Sequence, residues 1–443
     1  MKHLLRILLA LVIVTVVLLL AVIPLQQIAA PAPIGIANMA AAPPNEVRAL
    51  WVVRDAMTSP SSVRQFVKDA KAAGIDNLIV QVRGRGDAYY SARWEPRATL
   101  LENQPENFDP LLLTIEEAHA AGIKVHAWIN TFFVADTDNL PTSPAHMMYK
   151  HPEWLAIPRG IAAEMYRGDP KSRTYQDTLL NYAKTNPDQL EGLFFSPAHP
   201  GVKEQIYNLW MDITEKYDVD GLHFDYIRYP NRQFDYSRTS LDRFRSELEK
   251  TISGDEKARL ARAIAADPLA AVNSYPERYA QFQRDQVTDL VERVYQGVKA
   301  RKPGAIVSAA VFANDQDAYT DRFQDWKTWL KRGILDVACP MAYSEDTDTV
   351  ARQIEVAVNA RGNGQIWAGI GSWKMPLTGT LEKISAAREK GAQGFVLFSY
   401  NAAVKESELN PRGEYLLRLR EALAIVRPKQ LPKTIAKPLG STL

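Results

Sequence analysis

The sequence has almost no cysteine. Cys339 is the one thiol in 443 residues, so no disulfide can close within the chain, and it has no CxxC or zinc-ligand neighbour. It lies in the apolar run Leu335–Met341 and reads as an inert buried thiol. So low a thiol content is compatible with an oxidising compartment. An excess of one charge is missing too: 53 basic residues against 51 acidic leave a net charge of +2, which gives no long-range field for nucleic acid or an acidic partner. A neutral or zwitterionic partner fits better. The seven histidines are scattered without HxH, HExxH or EF-hand spacing, so neither a metal centre nor another cofactor is expected. A phosphate-cradling loop is also lacking. Arg83-Gly84-Arg85-Gly86 contains a GxG, but no third glycine or helix start follows.

What is present begins with an export signal. Lys2 and Arg6 precede Ile7–Ile23, a run of about 17 residues in which Thr15 is the only polar side chain. Residues 1–27 read as a signal peptide or as a retained membrane anchor, because the small-x-small site Ala40–Ala42 runs into Pro43. Basic residues ahead of the run hold the N-terminus in the cytoplasm and place the rest outside. The expected location is therefore periplasmic, extracellular or anchored with the folded part outside the cytoplasm. Residues 28–44, rich in Ala and Pro, read as a linker. Residues 45–426 form the folded domain, and residues 427–443, with three Pro and three Lys, a flexible tail.

A composition of 46% hydrophobic and 23% charged residues can bury a large core. Within it, β-type runs alternate with helical patterns, the signature of a parallel sheet with crossover helices. Strands are predicted at Val47–Arg54, Asn77–Arg83, Lys124–Asn130, Gly221–Tyr226, Ala305–Phe312, Leu335–Tyr343, Gln365–Ile370 and Gly394–Tyr400. Between them lie apolar faces at helical spacing: Val63, Phe66, Val67 and Ala70 before Gly74; Leu112, Ile115 and Ala118 before Gly122; Trp326, Trp329 and Leu330 before Gly333; Leu381, Ile384 and Ala387 before Gly391. Eight such units predict an α/β fold, a (β/α)8 TIM barrel, with long insertions after strand three (Thr131–Pro200) and strand four (Asn231–Gly304).

The fourth strand carries the argument for chemistry. Alternation places Leu222, Phe224 and Tyr226 outward on helices and Gly221, His223 and Asp225 toward the barrel axis. A carboxylate at the C-terminal mouth of a barrel sits where active sites are found. Burial makes local partners necessary, and His223 and Arg228 are the nearest in sequence. Other carboxylates at strand mouths are Asp55, Asp87, Asp315, Asp317, Glu345 and Asp346. Asp87, flanked by Arg83 and Arg85, is open to a catalytic role or to a structural ion pair; Glu345 and Asp346 are open to reaching a ligand or to being solvated charges. Aromatic side chains cluster at the same mouth: Tyr89, Tyr90, Trp94, Trp128, Phe132, Tyr229, Trp373 and Tyr400. Flat apolar faces suit the C–H faces of sugars, and Asn130 can bond a hydroxyl or an acetamido group.

The segments His223-Phe-Asp-Tyr-Ile-Arg-Tyr-Pro230 after Tyr217-Asp-Val-Asp-Gly221, Arg83-Gly-Arg-Gly-Asp-Ala-Tyr-Tyr90 and Pro340-Met-Ala-Tyr-Ser344 together resemble glycosyl-hydrolase-like family 10, from about Val47 to Tyr400. That resemblance implies a (β/α) barrel of a mostly bacterial, often exported group, with members implicated in cleaving cell-wall or other amino-sugar glycans. Asp220-Gly-Leu-His-Phe-Asp-Tyr-Ile227 is more distantly similar to the DGxDxDxE strand of family 18 chitinases. In that likeness Asp225 matches the middle carboxylate, His223 an earlier one, and Ile227 replaces the proton donor. Met341-Ala-Tyr343 is similar to the chitinase motif whose tyrosine faces the sugar.

The expectation is an exported glycoside hydrolase acting on a bacterial polysaccharide, peptidoglycan glycan strands being the first substrate to test. Its mechanism centres on Asp225, with Asp87 or Glu345 as the second carboxylate. Asn130, His223, Arg228, Tyr343, Trp94, Trp128, Trp373 and Tyr400 are the expected substrate-binding residues. Two rivals stay open: a glycan-binding barrel without catalysis, motivated by Ile227, and a lyase-type transglycosylase.

Overall fold

The structure is a computed structural model and describes residues 39–187, 190–410 and 413–425. The expected export segment 1–27, most of the expected linker and the expected tail 427–443 lie outside the described residues.

All eight predicted strands form. They are β1 (Val47–Val52), β2 (Asn77–Arg83), β3 (Lys124–Asn130), β6 (Gly221–Asp225), β7 (Ile306–Val311), β8 (Val337–Pro340), β9 (Gln365–Gly371) and β10 (Gly394–Phe398). They close in the order β1-β10-β9-β8-β7-β6-β3-β2, every neighbouring pair parallel. Both faces of each strand are covered, which is why the runs are almost continuously apolar; every residue of β2 and β6 is buried.

Helix starts follow local chemistry. Helix α1 (Pro60–Ala72) opens on a capping box between Ser59 and Ser62, with Pro60 in the first turn where its missing N–H costs nothing. Asp109 caps α2 (Pro110–Ala120) by accepting from Leu112 N. The glycines at 74, 122, 333 and 391 all hold positive φ, so each predicted stop is present. One residue of a predicted face is misplaced. Leu112 is exposed and Leu111 takes its place in the core beside Ile115 and Ala118, because the i, i+4, i+7 spacing keeps 111, 115 and 118 on one stripe of the helix.

The two insertions are built differently. That after β3 contains the short strands β4 (Phe133–Ala135) and β5 (Leu193–Phe194), paired antiparallel. It ends in α3 (Pro200–Lys216), whose Trp210 lies 3.9 Å between ring centroids from Phe224. After β6, much of the expected insertion is a barrel helix, α4 (Pro276–Arg301).

The barrel interior is packed. Ala49, Trp51, Ile79, Trp128, Ala310, Val337, Cys339, Trp367 and Val396 form one apolar cluster, and burial raises the Cys339 thiol pKa, keeping it neutral. Against it packs a small polar layer. His126 pairs with Asn77 at 2.9 Å, and His223 with Trp51 Nε1 at 3.2 Å and Ser308 Oγ at 2.8 Å. Gly221 makes room for this layer, since a Cβ there would fall 2.2 Å from His126 Nδ1.

Candidate active site

At the C-terminal mouth of the barrel the strand ends enclose a cavity of about 340 Å3. Asp225 and Arg228 line it from β6 and the turn after it, with Trp128 and Asn130 from β3, Gln81 from β2, Trp51 from β1 and Arg54 from the turn after it, Tyr343 after β8 and Phe398 from β10. Asp225 is the only carboxylate in that lining among the described residues. A wider hollow of about 890 Å3 lies at the opposite end of the barrel, around Asp336 and Gln365. Its Lys299 is paired with Asp336 at 2.7 Å, and it receives the N-terminal strand ends, where barrels keep stability rather than chemistry.

The chain turns sharply as β6 ends. Tyr226 has φ 48°, an uncommon conformation for a bulky residue, and this swings its ring into the cavity wall against Phe133, at 4.8 Å between centroids. The expectation that Tyr226 packs outward on helices fails here, because strand alternation ends one residue earlier. Leu222 and Phe224 do point outward. The same turn lets the Tyr226 amide donate to Asp225 Oδ1 at 2.6 Å, with Arg228 Nη1 at 3.5 Å from that oxygen.

Burial pushes the Asp225 carboxyl above its usual range; Arg228, the Tyr226 amide and the Trp128 indole pull it back. The Arg228 side chain is only 5% exposed. It lies 4.1 Å over the Tyr226 ring and reaches Glu191 Oε2 at 3.6 Å on its other side. One guanidinium thus lies between Asp225 and a second carboxylate that the sequence reading overlooked. Tyr343, which edges onto Trp51 and Trp373, stays a neutral O–H donor because burial raises its pKa well above the usual value.

Asn130 lines the cavity but is largely committed. Its Oδ1 accepts from Trp128 Nε1 at 2.9 Å and from Gln81 Nε2 at 3.3 Å, and its Nδ2 donates to the Gly84 carbonyl at 2.9 Å. One N–H remains for a ligand.

Several expected site residues lie elsewhere. His223 faces the axis as expected but sits one layer below the cavity, enclosed and bonded by Trp51 and Ser308; burial lowers its pKa well below the usual value, so it is neutral packing. Asp87 is absent from the cavity lining, and its Oδ1 accepts the Arg85 amide at 2.9 Å in a local turn. Arg83, four residues before it, is spent on a fully buried pair with Glu95 at 2.7 Å and on the carbonyls of Asn130 and Thr131. Glu345 is exposed in a shallow adjoining hollow that shares Met341 and Tyr343 with the cavity.

Trp94 is 37% exposed on the far side of the loop, its carbonyl tied to Gln205 of α3. Tyr400 turns away to bond Asp69 of α1 at 2.9 Å and lines a neighbouring hollow with Trp373 and Phe398. Trp373, 40% exposed, therefore stands at the rim, edge-on to Tyr343 at 4.9 Å.

Comparison with known proteins bears on both barrel and motifs. Among solved structures, the PgaB (BpsB) glycoside hydrolase domain from Bordetella bronchiseptica superposes with a TM-score of 0.58 at 14% identity, covering 86% of this chain and 100% of that one. The catalytic domain of β-amylase from Paenibacillus polymyxa gives 0.58 at 14%, covering 88% and 100%. At such identity the likeness speaks for the barrel alone. In sequence, glycosyl hydrolase YngK of Bacillus subtilis is 22% identical over 332 residues, 67% of this chain and 54% of the relative. Glycosyl hydrolase DigH of Escherichia coli K12 is 23% identical over 306 residues, 63% of this chain and 57% of the relative. The chain thus spans little more than half the length of these curated relatives. The profile of Glycosyl hydrolase-like 10 matches residues 46–184 and 164–371, a range that holds β1 to β9 and nearly all of the cavity wall. With barrel, mouth and sequence in agreement, the chain belongs to the glycosyl hydrolase-like 10 family.

Proposed function

We propose that this chain is an exported glycoside hydrolase that cuts a bacterial polysaccharide, with peptidoglycan glycan strands as the first substrate, and that Asp225 delivers the proton to the departing sugar oxygen. The observation that carries this reading is the buried Asp225 carboxyl, alone among carboxylates in an aromatic-lined cavity at the barrel mouth. A carboxyl whose pKa is raised by burial keeps its proton to higher pH than an ordinary carboxyl and can release it to a leaving oxygen. Trp128 and Tyr343 offer faces to a sugar ring, and the Tyr343 hydroxyl a hydrogen bond. Glycoside hydrolysis generally needs a second carboxylate; Glu191, joined to Asp225 through Arg228, supports that part better than Asp87 or Glu345. Export rests on Lys2, Arg6 and the apolar run Ile7–Ile23, and cell fractionation followed by N-terminal sequencing tests it.

The buried Ile227 at the position of the chitinase acid keeps a non-catalytic glycan binder as the second reading. One experiment separates them. Incubating the chain with denuded and with peptide-bearing glycan strands should give new reducing ends that Asp225→Asn abolishes. Anhydro ends would indicate a lyase, and binding without cleavage across a broad glycan panel would leave only the binder.

A further inference from the structure

The cavity is lined by three guanidiniums, Arg54, Arg85 and Arg228, against the single carboxyl of Asp225. Two of the three are matched by carboxylates: Arg228 by Asp225 and Glu191, and Arg85 by Asp136 at 3.0 Å. Arg54 is not. Its Nη1 donates to the neutral Gln81 Oε1 at 2.9 Å, and among the described residues no carboxylate lies within ion-pair distance of it. The nearby acids are turned to other partners, Asp55 to Asn401 Nδ2 at 2.7 Å and Asp87 to the Arg85 amide.

The arginine is nonetheless held in place. Its stem lies flat on Gly84, where a Cβ would fall 2.5 Å from Arg54 Cδ. Gln81 is itself held by Asn130 at 3.3 Å. A fixed guanidinium with free N–H groups in a partly desolvated cavity matches the planar, two-oxygen geometry of a carboxylate.

We infer that Arg54 is a specificity-determining residue, and that the sugar seated beside Asp225 carries a carboxylate which Arg54 binds. This rests on the glycosidase reading and adds the chemical class of sugar: acidic glycans are preferred over neutral ones of the same backbone.

The test uses the full chain and one glycan in two forms: denuded strands with free carboxylates, and the same strands after conversion of those carboxylates to methyl amides. Cleavage is read by reducing ends, and binding by calorimetry on Asp225→Asn. The acid form should be preferred about tenfold or more in both, as for a charge-assisted hydrogen bond. Arg54→Gln should bring that ratio toward one, with Arg54→Lys, which keeps the charge without the fork, in between; circular dichroism checks that each variant is folded. Equal treatment of the two forms by the wild-type chain overturns the role of Arg54 while leaving hydrolysis standing. A chain that cuts neither form but binds the acid form better loses the hydrolase reading and keeps the Arg54 site. Binding of neither form overturns the inference.

Discussion

Trp51 donates its indole N–H to His223 Nε2 at 3.2 Å across the barrel axis, which leaves the His223 proton on Nδ1, facing Ser308 Oγ at 2.8 Å. The ring is fully buried and its pKa lies well below the ordinary value; His126, one strand away, is lowered to about 4. Both are neutral in the folded protein, while in the unfolded chain they take up protons below about pH 6.5. The unfolded state then binds more protons, so stability should fall as pH drops below about 6.5, and continue to fall toward pH 4. Each histidine contributes a slope of up to roughly 1.4 kcal/mol per pH unit. Urea unfolding at pH 7.5 and 5.0 checks this; a His126→Asn variant should show a shallower dependence, and an unchanged slope would contradict it.

The buried pair of Arg83 with Glu95, both side chains wholly inaccessible, holds the β3 end through the carbonyls of Asn130 and Thr131. Removing one partner strands a charge. Glu95→Gln should cost about 3–5 kcal/mol in denaturant unfolding. Arg83→Met with Glu95→Leu should cost clearly less, because it leaves no unpaired charge. Equal losses in the two would show that the pair acts through shape rather than charge.

Trp94 and Trp373 look alike in sequence, each in a polar loop after a barrel strand, yet only Trp373 stands at the cavity rim against Tyr343. Trp373→Ala should raise KM for a polymeric glycan about tenfold, on the scale of roughly 1–1.5 kcal/mol for an aromatic contact. Trp94→Ala should leave kinetics within about twofold. Steady-state kinetics on soluble glycan fragments distinguishes the two.

Much of the barrel was legible because its signals are local. Parallel strands buried on both faces are continuous apolar runs, and glycine stops mark the helix ends, so every strand was placed to within a few residues. The site was legible where a residue lies at a strand end: Asp225, Asn130, Trp128, Arg228 and Tyr343 all reach the cavity. What escaped depends on loops and depth. His223 shares the face of Asp225 but lies two residues, or about 6.6 Å, deeper along the strand. Tyr226 enters the cavity only through its positive φ, Tyr400 opens a short helix and bonds Asp69 instead, and the Trp94 segment is tied to Gln205. Arg54, Gln81 and Phe398 were missed although each lies at or beside a strand end, where the same rule would have found them. Glu191 comes from 60 residues downstream of β3 Asn130's neighbour Thr131 and carried no local signal.

If Asp225 is the proton donor, activity should be lost as pH rises through its elevated pKa, so kcat/KM should decline on the alkaline side above the ordinary carboxyl range. Arg228 is the strongest influence holding that value down. Arg228→Gln should therefore move the alkaline limb to higher pH even where it lowers the rate. A limb that stays in place, or shifts downward, would contradict the assignment.

The most direct measurement compares wild type and Asp225→Asn on two substrates that present the same sugar, a glycan oligomer and an aryl glycoside with an activated leaving group. A lost general acid should lower cleavage of the oligomer by about 10²–10⁴-fold, and of the aryl glycoside far less, because nitrophenolate departs without a proton. Undiminished cleavage of the oligomer by Asp225→Asn would contradict a proton-donating Asp225.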